Sequence, residues 1–419
     1  METTYKNFHI ETDHRDVVTA TLDVPERGMN VFDPGVIEEL ESLVAEWETA
    51  NDIKVIVFRS GKPSGFLAGA DINVIQSIST PQEADEIIAR GQNLLTRIER
   101  LPMPTIAVIH GPCLGGGLEF ALACNFRIAR DDSSARLGLP ETQLGVIPGW
   151  GGTQRLPRVV GVVKGLEMIL TAKKVTASSA KKMGLVHLAP SPDEFDKAVE
   201  SFLETVIASP LATEVSSSPR RPLLARLVNN TRFGRWLAFK GTKQRIASQV
   251  RHYPALGAAL DAVKAGFHTP GQAGMDAERA AFCRVLFTPT CRNLIGLFFQ
   301  REKARNVSTW TEPTAEKPAP IGKLGVVGGG AMGAGIAQLA AYQGLEVVLR
   351  EINQDALDAG MKRIEKLFDD AVAKRRLSKE EAAAKLNAIT PTIDWDPLSD
   401  ADAVVEAVVE REDIKQQVF

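Results

Sequence analysis

GPCLGGGLEFALAC, residues 111–124, sits inside the most apolar long stretch of the chain, Pro104 to Ala129, and its reading decides the fold. A membrane span needs about 20 uninterrupted apolar residues. Here Pro104, His110, Pro112, three successive glycines and Glu119 break the run. What remains is a strand, TIAVIHG (105–111), a glycine turn, and a buried helix over 117–124 with a carboxylate in its first turn. Glycines let a reacting group come close to the backbone, and the first N–H groups of a helix lack intrahelical partners and carry the positive end of its dipole. Such a turn can hold an oxyanion. Glu119 beside it is either poised for proton traffic or an ordinary first-turn residue. Apolar neighbours raise its pKa while the helix N-terminus favours its ionised form.

Two flanking stretches extend the pattern. Upstream, SGFLAGADINVI (64–75) ends a strand and loop with Gly69 and Ala70, small enough for backbone N–H groups to touch a ligand. Downstream, SARLGLPETQLGVIPGWGGTQRLPRVVG (134–161) is rich in glycine and proline yet apolar, as a loop buried against something would be. It carries Glu141 just after Pro140, either an acid or base facing Glu119 across a pocket or a cap for the next turn.

Further out, VVTATLDV (17–24) and KVIVFRS (54–60) read as strands and PGVIEELESLVAEWETA (34–50) as a helix, which gives α/β layering. From about Pro192 to Val307 the pattern is helical, as in 193–208 and 275–287. No acidic residue lies between Glu214 and Asp261, but nine basic ones run from Arg220 to Arg251. That segment suits phosphates, an acidic partner or peripheral contact with a membrane surface, or is a solvated face. STWTEPTAEKPAP (308–320), with its three prolines, reads as a linker.

The 419 residues predict two or three packed units, and 44% hydrophobic with 24% charged residues is the balance of a folded globular protein. Forty-nine Lys and Arg against 52 Asp and Glu leave no cationic excess, which argues against nucleic acid. Four cysteines without CxxC spacing and six histidines that do not cluster with them argue against a disulfide framework or a metal. Cys113 and Cys124 read as small buried thiols and His110 as structural. The opening METTYKNFHIETDHRD has no secretory signal, so a cytoplasmic location is the expectation.

After the linker, LGVVGGGAMGAGIAQLAAYQG (324–344) gives strand, glycine turn and helix, and LEVVLRE (345–351) the next strand. Gly328, Gly330 and Gly333 fit GxGxxG, with Met332 inside the motif and Glu351 closing the following strand. At this spacing the pattern is a dinucleotide fingerprint, and Glu351 on the ribose hydroxyls favours NAD, with Arg350 next door the one feature suggesting NADP. AVVEAVVE (403–410) reads as a later strand.

The motifs FLAGADI, IHGPCLGGGLE and LPETQLGVIPGWGGTQRLPR together resemble the crotonase, or enoyl-CoA hydratase, superfamily over roughly residues 5–190. The resemblance implies an α/β domain built as a spiral of ββα repeats. It implies an oxyanion hole formed by the N–H groups of Ala70 and Gly116, with Glu119 activating water and Glu141 exchanging the proton at the substrate Cα. It also implies that the backbone of Ala68, Ala70, Asp71 and Ile72 contacts coenzyme A. Asn73 stands where many relatives carry Lys, which departs from that pattern.

Residues 322–419 resemble the NAD-binding Rossmann domain of 3-hydroxyacyl-CoA dehydrogenases, with Glu410 and Lys415 matching positions near the nicotinamide ribose. That family's catalytic histidine lies beyond the matched region and no histidine follows His268, so an incomplete, doubly wound domain without hydride transfer is expected. Hydratase (1–190), helical connector packing on the hydratase domain (191–307), linker (308–321) and NAD domain (322–419) is the order of the multifunctional α subunits of fatty-acid β-oxidation complexes. The resemblance implies an acyl-CoA substrate and a thiolase β subunit as partner. Enoyl-CoA isomerisation in the same pocket, or a non-catalytic CoA-binding assembly module, are the competing readings.

Overall fold

The structure is a computed structural model and describes residues 5–209, 223–305, 319–374 and 376–418. The chain divides into two compact units, Met1–Trp310 and Thr311–Phe419.

The first unit is built on a five-stranded sheet of β1 (Phe8–Thr12), β2 (Val17–Leu22), β3 (Val55–Ser60), β4 (Thr105–Ile109) and β6 (Phe126–Ala129), in that order. Between β4 and β6 in sequence, β5 (Cys113–Leu114) pairs with β7 (Leu137–Gly138) in a second, two-stranded sheet. Among the described strands of the main sheet, β1 and β2 pair antiparallel and the other neighbours pair parallel. Parallel strands are covered on both faces and so carry near-continuous apolar runs. VIVF of β3 and all five residues of β4 are buried accordingly.

The alternation of side chains assigns the two faces. Val18, Ala20, Leu22, Ile56, Phe58, Ala107 and Ile109 enter the main core, while Val17, Val55, Val57, Ile106, Val108 and Ile128 meet Phe195, Val199, Phe202, Leu203 and Val206 of helix Phe195–Ala208. That helix was expected in the connector. It belongs to the sheet, whose second face needs its apolar cover, so the boundary at 190 falls too early.

The later helices, Arg232–Val250, Pro254–His268, Gln272–Leu286 and Pro289–Arg305, lie in the same unit and contribute Val263, Phe282, Val285 and Cys291 to its main core. Residues 210–222 of the basic segment, with Arg220 and Arg221, and residues 306–318 of the proline-rich linker lie outside the described residues. Among the described residues no helix is long and apolar enough to cross a membrane.

The second unit is a four-stranded parallel sheet ordered β10 (Ile389–Thr392), β9 (Glu346–Arg350), β8 (Lys323–Val327), β11 (Ala403–Glu406). The sequence order reverses at β8, so the crevice between β8 and β11 is the switch point where such sheets take ligands. The strand expected over 403–410 ends at Glu406, whose Oε1 accepts from Val408 N at 2.7 Å and turns the chain out of the sheet.

Candidate active site

Helix Gly116–Ala123 is buried along its whole length and starts at Gly115, whose φ of +54° is one that few side-chain-bearing residues adopt. A Cβ there would stand 3.2 Å from Glu141 Oε1, so the turn runs directly beneath that carboxylate. Gly116 follows, and a Cβ on it would lie 3.3 Å from Ala70 N, which puts the two expected oxyanion donors side by side.

Ala70 is presented by a parallel bridge to Phe32. Phe32 N donates to Gly69 O at 2.8 Å and Asp71 N to Phe32 O at 3.1 Å. In that pattern the bonds come from the flanking groups, and Ala70's own N–H is left facing the other way. Gly116 N is one of the first amides of its helix and has no intrahelical acceptor. Among the described residues, neither amide donates to any group of the protein.

Both residues, with Glu119 and Glu141, line one cavity of about 210 Å³ walled by Ile72, Ile75, Ile87, Ile88, Ile147 and Phe282. Glu119 is 2% exposed, and its Oε1 accepts from Trp150 N and Gly152 N, each at 2.7 Å. Burial pushes its carboxyl well above the usual range, the charges of Glu141 and Glu278 add to this, and the two amides oppose it. Glu141 opens the short helical turn Glu141–Leu144, closed by Gly145. Both its oxygens are buried without a partner, and burial pushes it up to about 8. The two acids therefore differ: one is held by amides, the other is bare towards the cavity.

Ala68 and Ile72 also line the cavity, though Ala68 N is engaged by Asn30 O at 2.9 Å. Asp71, expected at coenzyme A, is not on the cavity wall. Its carboxylate caps helix Ile72–Ser77 through Asn73 N and pairs with Arg27 at 2.9 Å, and its N–H is held by Phe32, so it shapes the loop from behind. Cys113 and Cys124 are buried, and His110 Nε2 is bonded to Lys62 O.

Sequence reasoning missed Glu278. It is fully buried on helix Gln272–Leu286, and its oxygens accept from Gly151 N, Thr153 N, Thr153 Oγ1 and Gln92 Nε2. The signal was present, since Glu278 falls on the apolar stripe of Ala281, Phe282 and Val285.

In the second unit Gly328 has φ +101° and passes against Ala407 after β11, while a Cβ on Gly333 would collide with Gly328 O. Gly330 caps helix Ala331–Tyr342 with open space around it, and Met332 is exposed in the first turn. Glu351 directly follows β9, its Oε1 accepting from Gly329 N at 2.6 Å. Arg350 lies over the Trp395 ring at 4.0 Å. Lys415 joins Glu410 at 3.0 Å and Glu406, which sequence reading did not single out, at 2.9 Å.

Residues 12–219 match the family model of enoyl-CoA hydratase/isomerase. Residues 323–419 match that of the 3-hydroxyacyl-CoA dehydrogenase NAD binding domain. A putative enoyl-CoA hydratase from Streptomyces avermitilis is similar with a TM-score of 0.51 at 24% identity, covering 73% of this chain and 96% of that one. An enoyl-CoA hydratase from Bacillus halodurans gives 0.50 at 19%, covering 70% and 99%. At these identities the likeness carries the fold alone. Over residues 12–219 the family model, on the crotonase fold, supports a lyase. More fully, the chain joins an enoyl-CoA hydratase/isomerase domain to an NAD-binding domain of the 3-hydroxyacyl-CoA dehydrogenase type, the build of a multifunctional protein.

Proposed function

We propose that the first unit adds water to trans-2-enoyl-CoA, giving 3-hydroxyacyl-CoA, as a step of fatty-acid β-oxidation. The observation that carries this reading is the convergence of two unlike carboxyls and two unpaired amides on one cavity. Addition to a double bond conjugated with a thioester builds enolate charge on the carbonyl oxygen. Ala70 N and Gly116 N are preorganised for that charge and stabilise the transition state more than the ground state.

The acids divide the proton work. Two amides hydrogen-bond Glu119, whereas both Glu141 oxygens are buried without a hydrogen-bond partner, and on this reading the proton shared by the pair sits on Glu141. Glu119 takes a proton from water as the oxygen bonds to Cβ, and Glu141 delivers its proton to Cα. Transfer between the acids then restores the starting state. Isomerisation needs only one of the two acids, and the presence of both in the cavity favours hydration. The backbone from Ala68 to Ile72 gives the coenzyme A moiety an edge along the cavity mouth.

Glu119→Gln and Glu141→Gln, assayed separately on crotonyl-CoA and on a 3-enoyl-CoA, test this assignment. Each substitution is expected to lower hydration by about 10²–10⁴-fold. Full hydration by both variants overturns the mechanism.

The second unit fits NAD. Gly328, Gly330 and Gly333 would hold the pyrophosphate at the start of helix Ala331–Tyr342, and Glu351 the adenine ribose hydroxyls. Arg350, the group that would receive an additional ribose phosphate, is committed to Trp395, in keeping with NAD. On this reading Met332, in the first turn of that helix, and the paired Glu410 and Lys415 after β11 would supply further contacts to the cofactor. Bound nicotinamide supplies a hydride acceptor. The product of the first unit is the alcohol that a 3-hydroxyacyl-CoA dehydrogenase oxidises, and the resulting ketoacyl thioester is a thiolase substrate, in line with a thiolase partner.

A further inference from the structure

Glu278 reaches the acid site from the helical connector. Its Oε1 accepts from Gly151 N at 2.6 Å and Gln92 Nε2 at 3.1 Å, and its Oε2 from Thr153 N at 2.9 Å and Thr153 Oγ1 at 2.5 Å. All four partners donate, which suits a group that only accepts. Glu119, from helix Gly116–Ala123, packs against the same turn and takes the alternate amides, those of Trp150 and Gly152. Four consecutive N–H groups, Trp150 to Thr153, are thus shared alternately between a carboxylate from each side. Phe282, one helical turn beyond Glu278, lines the cavity itself.

We infer that Glu278 is a positioning residue for hydration: by gripping Gly151 and Thr153 it aims the Trp150 and Gly152 amides at Glu119 and so fixes the carboxylate that activates water. The inference rests on the hydratase reading. A carboxylate that can shift in its seat loses alignment with water and Cβ, whereas the cavity that binds the thioester keeps its walls. The effect therefore falls on turnover rather than on substrate binding.

The test uses the full chain with crotonyl-CoA as probe, reading kcat, KM and melting temperature for Glu278→Gln, Thr153→Val and Thr153→Ser. In Glu278→Gln an amide N–H₂ must face another donor, and kcat is expected to fall about 10- to 100-fold with KM within about two-fold. Thr153→Val removes one of the four donors and lowers kcat several-fold, and Thr153→Ser, which returns the hydroxyl, recovers the rate. A folded Glu278→Gln enzyme with wild-type kcat, or one changed in KM alone, overturns the proposal. Should Glu278→Gln fail to fold, a wild-type kcat in Thr153→Val overturns it equally. An inactive wild-type chain sinks the hydratase reading itself, which separates the two failures.

Discussion

At the scale of single residues, Glu141 shows how a useful proton conflicts with stability. Its folded pKa of about 8 lies above the ordinary 4.5, with burial as the leading cause. A raised carboxyl pKa favours the fold below the unfolded value, and that contribution is lost as pH rises through 4.5 towards 8. Glu141→Gln removes the liability. The variant should be impaired in hydration yet more stable, by about 2–4 kcal/mol near pH 8, with little gain near pH 4. Melting temperatures of both proteins across that range check this, and a gap that does not widen with pH contradicts it. His187 works in the opposite sense. Burial, then the nearby Arg127, holds it down to about 3, so its neutral form is native and its contribution, complete above 6.5, drains away as pH falls towards 3. His187→Asn, which leaves an acceptor for Arg127 N, should flatten the acid limb of the stability curve. An unchanged slope between pH 6.5 and 4 excludes that role.

At the scale of elements, the turn into helix Gly152–Val160 is where packing and chemistry meet. A Cβ on Gly152 would lie 2.8 Å from Glu119 Oε1 and 2.7 Å from Pro148 Cβ. Gly152→Ala should displace the catalytic carboxylate, lowering kcat by about 100-fold while costing about 1–3 kcal/mol through overpacking. Kinetics beside thermal melting separate the two effects, and a fully active variant rules out the close approach. Much of this region was legible in the sequence. A short, mostly β-branched run such as VIVF reads as a covered strand, and glycines ahead of an apolar helix with one carboxylate mark a site because burial of Glu119 demands partners. The covering role of helix Phe195–Ala208 was not legible, since its amphipathic pattern says that a face is buried without saying against what. Glu278 was hidden for a related reason. Its partners lie more than a hundred positions away, and a lone acid on an apolar stripe acquires meaning only when the stripe is docked. The Asp71 carboxylate was not legible either, because a motif position does not show that the side chain turns to Arg27 and caps the next helix.

At the scale of the whole molecule, the two units have separate cores, one centred on Phe58, Phe120 and Trp150 and the other on Val326, Leu349 and Phe368. A dinucleotide bound by the second should therefore raise the melting of residues 319–418. Saturation at about 100 times Kd corresponds to about 2.7 kcal/mol. Scanning calorimetry of the full chain with NAD should show that rise, and Glu351→Ala should abolish most of it. An equal rise in the variant removes Glu351 from the site. The shared turn at Trp150–Thr153 also bears on how the protein comes into being. On the ribosome Glu119 and Glu141 emerge well before Glu278, and domains assemble as their last segments arrive. A nascent chain can thus raise its sheet and house both acids while the turn beneath them still lacks half its anchors. A translation product arrested before the late helices therefore lacks both Glu278 beneath that turn and the Val263, Phe282 and Val285 side chains that complete the main core.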